Sequence, residues 1–150
     1  MVDIGSPAPR FRLPSTDGHL VSLEDFLGKK NLVIYFYPKD FTTGCTAEAC
    51  GFRDAYEEFK NAGAEVIGIS SDSQQSHEAF AKEHKLPFIL LSDTDGSARR
   101  AYGVKKSLGL FPGRVSFVID KTGIVRHIFS SQARATAHVD KALAVLKSLG

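Results

Sequence analysis

Two cysteines stand five positions apart, Cys45 and Cys50, in the stretch FYPKDFTTGCTAEAC that runs from Phe36 to Cys50. The stretch joins an apolar run to a helix-like segment, so Cys45 falls in the first turn of a helix. In α/β sheets that place lies at the carboxyl ends of the strands, where ligands bind. Unpaired backbone N–H groups and the positive end of the helix dipole favour a thiolate there, and the thiolate is the nucleophile. A free cysteine is equally at home as a small buried hydrophobe. The neighbours decide between the two readings. Pro38 fixes the chain as it leaves the strand, Thr42 can direct a hydroxyl toward the sulfur three residues on, and Gly44 permits close approach of backbone and ligand. Such residues build a pocket.

Cys50 poses a geometric problem. Five residues apart in an ideal helix, two Cα atoms are separated by ~8.6 Å, from a rise of ~7.5 Å and a rotation of ~140°. A disulfide needs roughly 4.4 to 6.8 Å. The two cysteines therefore cannot bridge inside a regular helix, and if they react with each other the first turns must unwind. A permanent bridge closing so small a loop would restrict the unfolded chain little. Zinc needs about four ligands, and no further Cys or His stands at ligand spacing. The histidines His19, His77, His84, His127 and His138 are dispersed and are expected to be surface or internally satisfied residues.

The elements that must position the cysteines follow from periodicity. NLVIYFY (Asn31 to Tyr37) is an almost unbroken apolar run, suited to a strand buried on both faces. Cys45 to Ala62 is expected to be a helix, with Ala49, Phe52, Tyr56 and Phe59 on its apolar face. AEVIGIS (Ala64 to Ser70) is a second central strand. Ser71 and Gln74 fit a capping box for a helix through His84. FILLSD (Phe88 to Asp93) is a third strand, and SARRAYG a short helix stopped by Gly103. RVSFVID, the turn Lys121-Thr122-Gly123 and IVRHIFSS form a hairpin, and a last helix spans roughly Ala135 to Leu149. HLVSLEDF is a short strand or turn. Alternating βα units followed by one hairpin predict an α/β sandwich with a mixed central sheet flanked by helices, in a single domain over 1–150.

Composition excludes several function classes. The net charge is +2, and the basic pairs Lys29-Lys30, Arg99-Arg100 and Lys105-Lys106 are isolated. None is interleaved with aromatics, so nucleic acid is not an expected partner. No apolar run approaches the ~20 residues of a membrane span. The start MVDIGSPAPRFRLP lacks the features of a signal peptide. With two cysteines only, a reducing compartment is expected, the cytoplasm first and the chloroplast stroma if a transit peptide has been removed.

P-K-D-F-T-T-G-C, Pro38 to Cys45, resembles the P-x-x-x-T-x-x-C active-site pattern of peroxiredoxins. The second cysteine five residues on is similar to the peroxiredoxin Q subgroup, also called bacterioferritin comigratory proteins. The likeness extends to G-x-x-A-P-x-F-x-L at Gly5 to Leu13, VIYFYPKD, AEVIGIS, LLSD and GRVSFVID. It implies a thioredoxin-like fold with an N-terminal extension, and reduction of hydrogen peroxide and organic hydroperoxides with no cofactor. It further implies that Cys45 is the peroxidatic cysteine, that Thr42 hydrogen-bonds thiolate and peroxide, that Pro38 shields the sulfur, and that Arg114 stabilises the thiolate. Glu48 would orient that arginine. Cys50 would be the resolving cysteine of an intramolecular disulfide that thioredoxin or a similar dithiol protein reduces, within a monomer. One departure stands out: Thr42-Thr43-Gly44-Cys45 replaces the common T-P-G-C, which frees the loop and bears on rates.

Two other readings share the fold. A thiol–disulfide oxidoreductase would carry C-x-x-C in place of C-x-x-x-x-C. A redox-switched binding module would use the unwinding at Cys45 to expose a surface.

Overall fold

The computed structural model describes residues 2–104, 106–107, 111–112, 114–131 and 135–149. Lys105, of the pair Lys105-Lys106, and Gly113, which opens GRVSFVID, lie outside the described residues. The element order is β1 (Arg12–Pro14), β2 (Leu20–Ser22), a 3-10 turn (Leu23–Asp25), β3 (Asn31–Phe36), α1 (Thr43–Asp54), α2 (Tyr56–Asn61), β4 (Ala64–Ser70), α3 (Gln74–His84), β5 (Ile89–Ser92), α4 (Ser97–Ala101), β6 (Lys106–Ser107), β7 (Phe111–Pro112), β8 (Val115–Ile119), β9 (Val125–Ser130) and α5 (Ala135–Ser148).

A five-stranded sheet in the order β5-β4-β3-β8-β9 forms the centre. β3 pairs with β4, and β4 with β5, in parallel; β3–β8 and β8–β9 are antiparallel. The mixed sheet and its flanking helices are those expected of a thioredoxin-like peroxiredoxin sandwich. β3 is central, and its alternate residues feed two cores. Leu32, Ile34 and Phe36 join Ile67, Ile69 and Phe117 under the N-terminal segment and α4. Val33, Tyr35 and Tyr37 meet Phe52, Phe59 and Phe80 from the helices on the other face. A strand buried on both faces must be apolar throughout, which is why this run shows no alternation.

Two helix boundaries differ from expectation. The helix anticipated over Cys45 to Ala62 is two helices, because Ala55 leaves helical backbone (φ −96°, ψ 3°). It also begins earlier, at Thr43, with Thr42 in extended backbone before it. The capping box at Ser71 does not form. Ser73 is the N-cap of α3 and accepts from the Ser76 N–H at 3.1 Å. The Ser71 hydroxyl accepts instead from Arg99 at 3.1 Å.

At Gly68, in the middle of β4, the sheet comes too close to its cover for a side chain. A Cβ there would sit 2.8 Å from both Leu90 Cδ2 and the Tyr35 ring. Tyr35 is fully buried and stacks on Phe52 with ring centroids 4.5 Å apart, so neither neighbour has room to yield. Gly68→Ala is expected to lower the unfolding free energy by about 1–3 kcal/mol through overpacking, as measured by urea denaturation. An unchanged midpoint would show that the Tyr35 stack can move.

Candidate active site

α1 begins where β3 ends, and its burial pattern places the chemistry. Cys45, Glu48, Ala49 and Phe52 are its buried positions, spaced as one inward face. The first helical bond runs from Thr46 N–H to the Thr42 carbonyl at 2.8 Å. The N–H groups of Thr43, Gly44 and Cys45 precede it, so the positive helix end lies at the sulfur.

Arg114, just before β8, is brought onto this face. Its Nη2 lies 3.5 Å from Cys45 Sγ, while its Nη1 donates to Glu48 Oε1 at 2.6 Å. A guanidinium has donors only, so the sulfur is the acceptor in the first contact. All three side chains are buried, Cys45 at 1%, Glu48 at 0% and Arg114 at 4% exposure. Burial works against charge on Arg114, but Glu48 and Cys45 more than offset it and its pKa is raised. Burial pushes the Glu48 carboxyl up to about 8, and Arg114 pulls against that rise. The 2.6 Å charge-assisted bond nevertheless holds the pair together. Glu48 is thus a buried partner of Arg114.

Gly44 acquires a definite reason. A Cβ at this position would fall 2.9 Å from Arg114 Nη2. What the missing side chain admits is the guanidinium, where sequence reasoning pointed to a ligand.

Behind Glu48 lies His138 of α5, its Nδ1 3.7 Å from Glu48 Oε2. Its Nδ1 accepts from the Ser116 hydroxyl at 2.5 Å and its Nε2 donates to the Ser131 carbonyl at 2.9 Å. Those two bonds specify one neutral tautomer. Burial, aided by Arg114, lowers the His138 pKa to about 4.

The loop from Pro38 to Thr42 is pinned from the side of α3. Asp40, 2% exposed, accepts from Tyr37 at 2.5 Å and Ser76 at 2.9 Å and lies 2.7 Å from His77 Nδ1. Its N–H donates to Asp72 at 2.8 Å. Asp40, Asp72 and His77 are close enough to share an ion, but their bonds to one another and to Tyr37, Ser70 and Ser76 make them a latch. Beyond it Phe41 adopts φ 64°, uncommon for a residue with a side chain, and is half-exposed with its ring edge on Phe80. Pro38 is half-buried. Thr42 is exposed, and its hydroxyl donates to the Lys39 carbonyl at 2.8 Å rather than to the sulfur.

Cys50 is a free, half-buried thiol in the same unbroken helix as Cys45, the geometry that forbids a bond between them. Its Sγ lies 3.9 Å from His84 Nδ1. Of the histidines, His19 is exposed and His77 and His138 are buried with partners, as expected of surface or satisfied residues. His84, beside a thiol, was not foreseen. A groove of about 740 Å³ at the other end of the sheet, lined by Asn31, Asp120, Lys121, Arg126 and Lys147, contains neither cysteine.

This site on this sheet defines a thiol peroxidase of the peroxiredoxin class. The chain belongs to the AhpC/TSA family, whose pattern matches residues 4–128. It is 51% identical over 146 residues to chloroplastic peroxiredoxin Q of Sedum lineare, covering 97% of this chain and 78% of that one. It is 49% identical to chloroplastic peroxiredoxin Q of Arabidopsis thaliana, covering 98% and 68%. Among solved structures, peroxidoxin BcpB of Mycobacterium tuberculosis superposes with a TM-score of 0.93 at 37% identity, covering 100% of this chain and 99% of that one. Peroxiredoxin Q of Xanthomonas campestris does so at 0.87 and 31%, covering 99% and 96%. The family acts on peroxides at the expense of a thiol reductant.

Two outcomes test the electrostatics. Gly44→Ala displaces Arg114 from the sulfur, and the rate of Cys45 oxidation by peroxide is expected to fall about tenfold while the fold persists. Stopped-flow fluorescence and circular dichroism measure the two. For His138, the unfolded chain takes up a proton near pH 6.5 and the folded chain only near 4. Its contribution, about 3 kcal/mol at ~1.4 kcal/mol per pKa unit, is complete above pH 6.5 and lost as pH falls toward 4. Glu48 slopes the other way but is common to wild type and His138→Gln. The difference between their urea stabilities should therefore shrink on acidification across that range, and a constant difference would contradict the assignment.

Proposed function

We propose that Cys45 is the peroxidatic cysteine and Cys50 the resolving cysteine of a peroxidase cycle completed within one chain. The observation that carries this reading is the Arg114 guanidinium shared between the Cys45 sulfur, at 3.5 Å, and the buried Glu48 carboxylate, at 2.6 Å. A cation fixed there stabilises negative charge on the sulfur and on an oxygen leaving it.

Cys45 Sγ attacks the terminal oxygen of R–O–O–H. The S–O bond forms as the O–O bond breaks, the sulfur is oxidised to a sulfenic acid, and RO⁻ takes up a proton to leave as water or an alcohol. Thr42, whose own proton is engaged by Lys39, presents an oxygen able to accept from the peroxide. Pro38 and the helix N-terminus limit access of water to the sulfur. Cys50 then condenses with the sulfenic acid, releasing water and forming the Cys45–Cys50 disulfide. Because both residues lie in α1, the first turns must unwind before the sulfurs meet. A dithiol protein such as thioredoxin reduces the bond by exchange.

Resolution inside one chain needs no second copy, which supports a monomer. Two free thiols fit a reducing compartment; the cytoplasm and the chloroplast both provide one, and the plant relatives named above are chloroplastic. Among the described residues, no helix is long and apolar enough to cross a membrane.

Peroxide consumption with thioredoxin, thioredoxin reductase and NADPH tests the assignment. Cys45→Ser is expected to abolish turnover. Cys50→Ser should consume a single equivalent of peroxide per chain and then stall. Wild-type turnover by Cys45→Ser would refute it, and insulin reduction without peroxide consumption would point to an oxidoreductase.

A further inference from the structure

Cys50 has a partner for which the cycle above has found no use. His84, the last residue of α3, places Nδ1 3.9 Å from Cys50 Sγ, within the longer reach of a sulfur hydrogen bond. The ring is held on several sides. It stands edge-on to Phe80 with centroids 5.1 Å apart. The His84 carbonyl accepts from Arg53 Nη1 of α1 at 2.8 Å, tying the end of α3 to the helix that carries both cysteines. On the far side, Glu83 Oε2 lies 3.8 Å from Nε2, which favours the tautomer whose Nδ1 is the acceptor. A thiol thus lies within sulfur hydrogen-bond reach of one ring nitrogen and a carboxylate lies 3.8 Å from the other, the groups an activated nucleophile uses.

We propose that His84 is the general base that readies Cys50 for the resolving step. The inference rests on the reading of Cys50 as the resolving thiol. In the resolving step Nδ1 takes the Cys50 proton, leaving a thiolate and an imidazolium. When the first turns open, the thiolate attacks the Cys45 sulfenic acid; the S–S bond forms and the S–O bond breaks. The Cys50 sulfur is oxidised and the Cys45 sulfur reduced. The departing hydroxide takes the proton held by the imidazolium and leaves as water, and His84 is neutral again. The charged groups facing the pair are Glu83 on α3, which supports a positive ring, and Arg53 on α1, which opposes it. Arg53 is engaged by the His84 carbonyl and by Asp54 at 3.1 Å. Since His84 is the C-terminal residue of α3 and partly exposed, its ring can be changed without opening the core.

The test follows the two steps separately after rapid mixing with one equivalent of peroxide. Formation of the Cys45 sulfenic acid is trapped with a carbon nucleophile, and disulfide formation is read by mass spectrometry after quenching. In His84→Asn, which can accept a hydrogen bond but take no proton, the first step is expected at the wild-type rate. The second is expected about tenfold slower near pH 7, with the deficit closing as pH is raised toward about 9 and hydroxide replaces the base. Glu83→Gln, an exposed change that leaves the ring in place, should slow the second step about twofold with the same pH dependence, and it carries the test if His84→Asn does not fold. An unchanged second step near pH 7 in either variant overturns the proposal. So does an equal loss at every pH, which would make His84 a packing residue. If the wild type keeps its Cys45 sulfenic acid, or joins Cys45 to a second chain, with no Cys45–Cys50 disulfide formed, the resolving role of Cys50 fails, and that result is distinct from both.

Discussion

A buried cation sets the terms for this molecule. Arg114 is almost wholly removed from water, and a guanidinium is tolerated there only against partners that offset its lost hydration. Glu48 supplies a carboxylate and Cys45 a sulfur, both from α1, while Arg114 itself stands just before β8. The pair therefore ties the first two turns of α1 to the centre of the sheet. Removing either charge would strand the other, so the arrangement that serves the sulfur also secures the helix. Gly44 must lack a side chain for the same reason, and the neutral His138, braced by Ser116 and Ser131, closes the space behind Glu48 without adding a second cation.

That tether conflicts with the second half of the proposed chemistry. The cation needs α1 wound, since it grips residues one turn apart; the proposed Cys45–Cys50 disulfide needs α1 open. The structure divides the labour along the chain. On one side the loop is latched to α3 through Asp40 and His77 and ends at Phe41 in a left-handed conformation, a locally costly backbone just before the helix. On the other, Arg53 ties α1 to the last residue of α3. Between these anchors lies the segment holding both cysteines. Opening between two fixed points would leave the sheet and these two anchors to α3 in place, so the local change need not propagate into either core.

Where the local residues stand was legible in the sequence; which way the Thr42 hydroxyl turns and what Gly44 makes room for were not. Pro38, Thr42, Gly44 and Cys45 lie within eight residues, and their meaning depends on a strand end and a helix start that periodicity locates. The apolar run of β3 and the hairpin of β8 and β9 were legible for the same reason. Contacts distant in the chain were not. Arg114 and Glu48 are 66 residues apart, and only the family likeness paired them; Asp40 and His77 are 37 apart, and no pattern joined them. The break at Ala55 escaped because Phe52, Tyr56 and Phe59 keep helical spacing across it, with neither proline nor glycine to mark the stop. Ser71 made a plausible cap until Arg99 claimed its hydroxyl.

The central claim is that one helix is intact when Cys45 meets peroxide and unwound when Cys45 meets Cys50. Hydrogen exchange read by mass spectrometry, on the reduced chain and after a single equivalent of peroxide, tests it most directly. The backbone amides of residues 46–50 should be protected in the reduced protein and exchange freely once the disulfide has formed, while those of β3 and β4 stay protected in both. A disulfide between Cys45 and Cys50 with protection of that helix undiminished would contradict it.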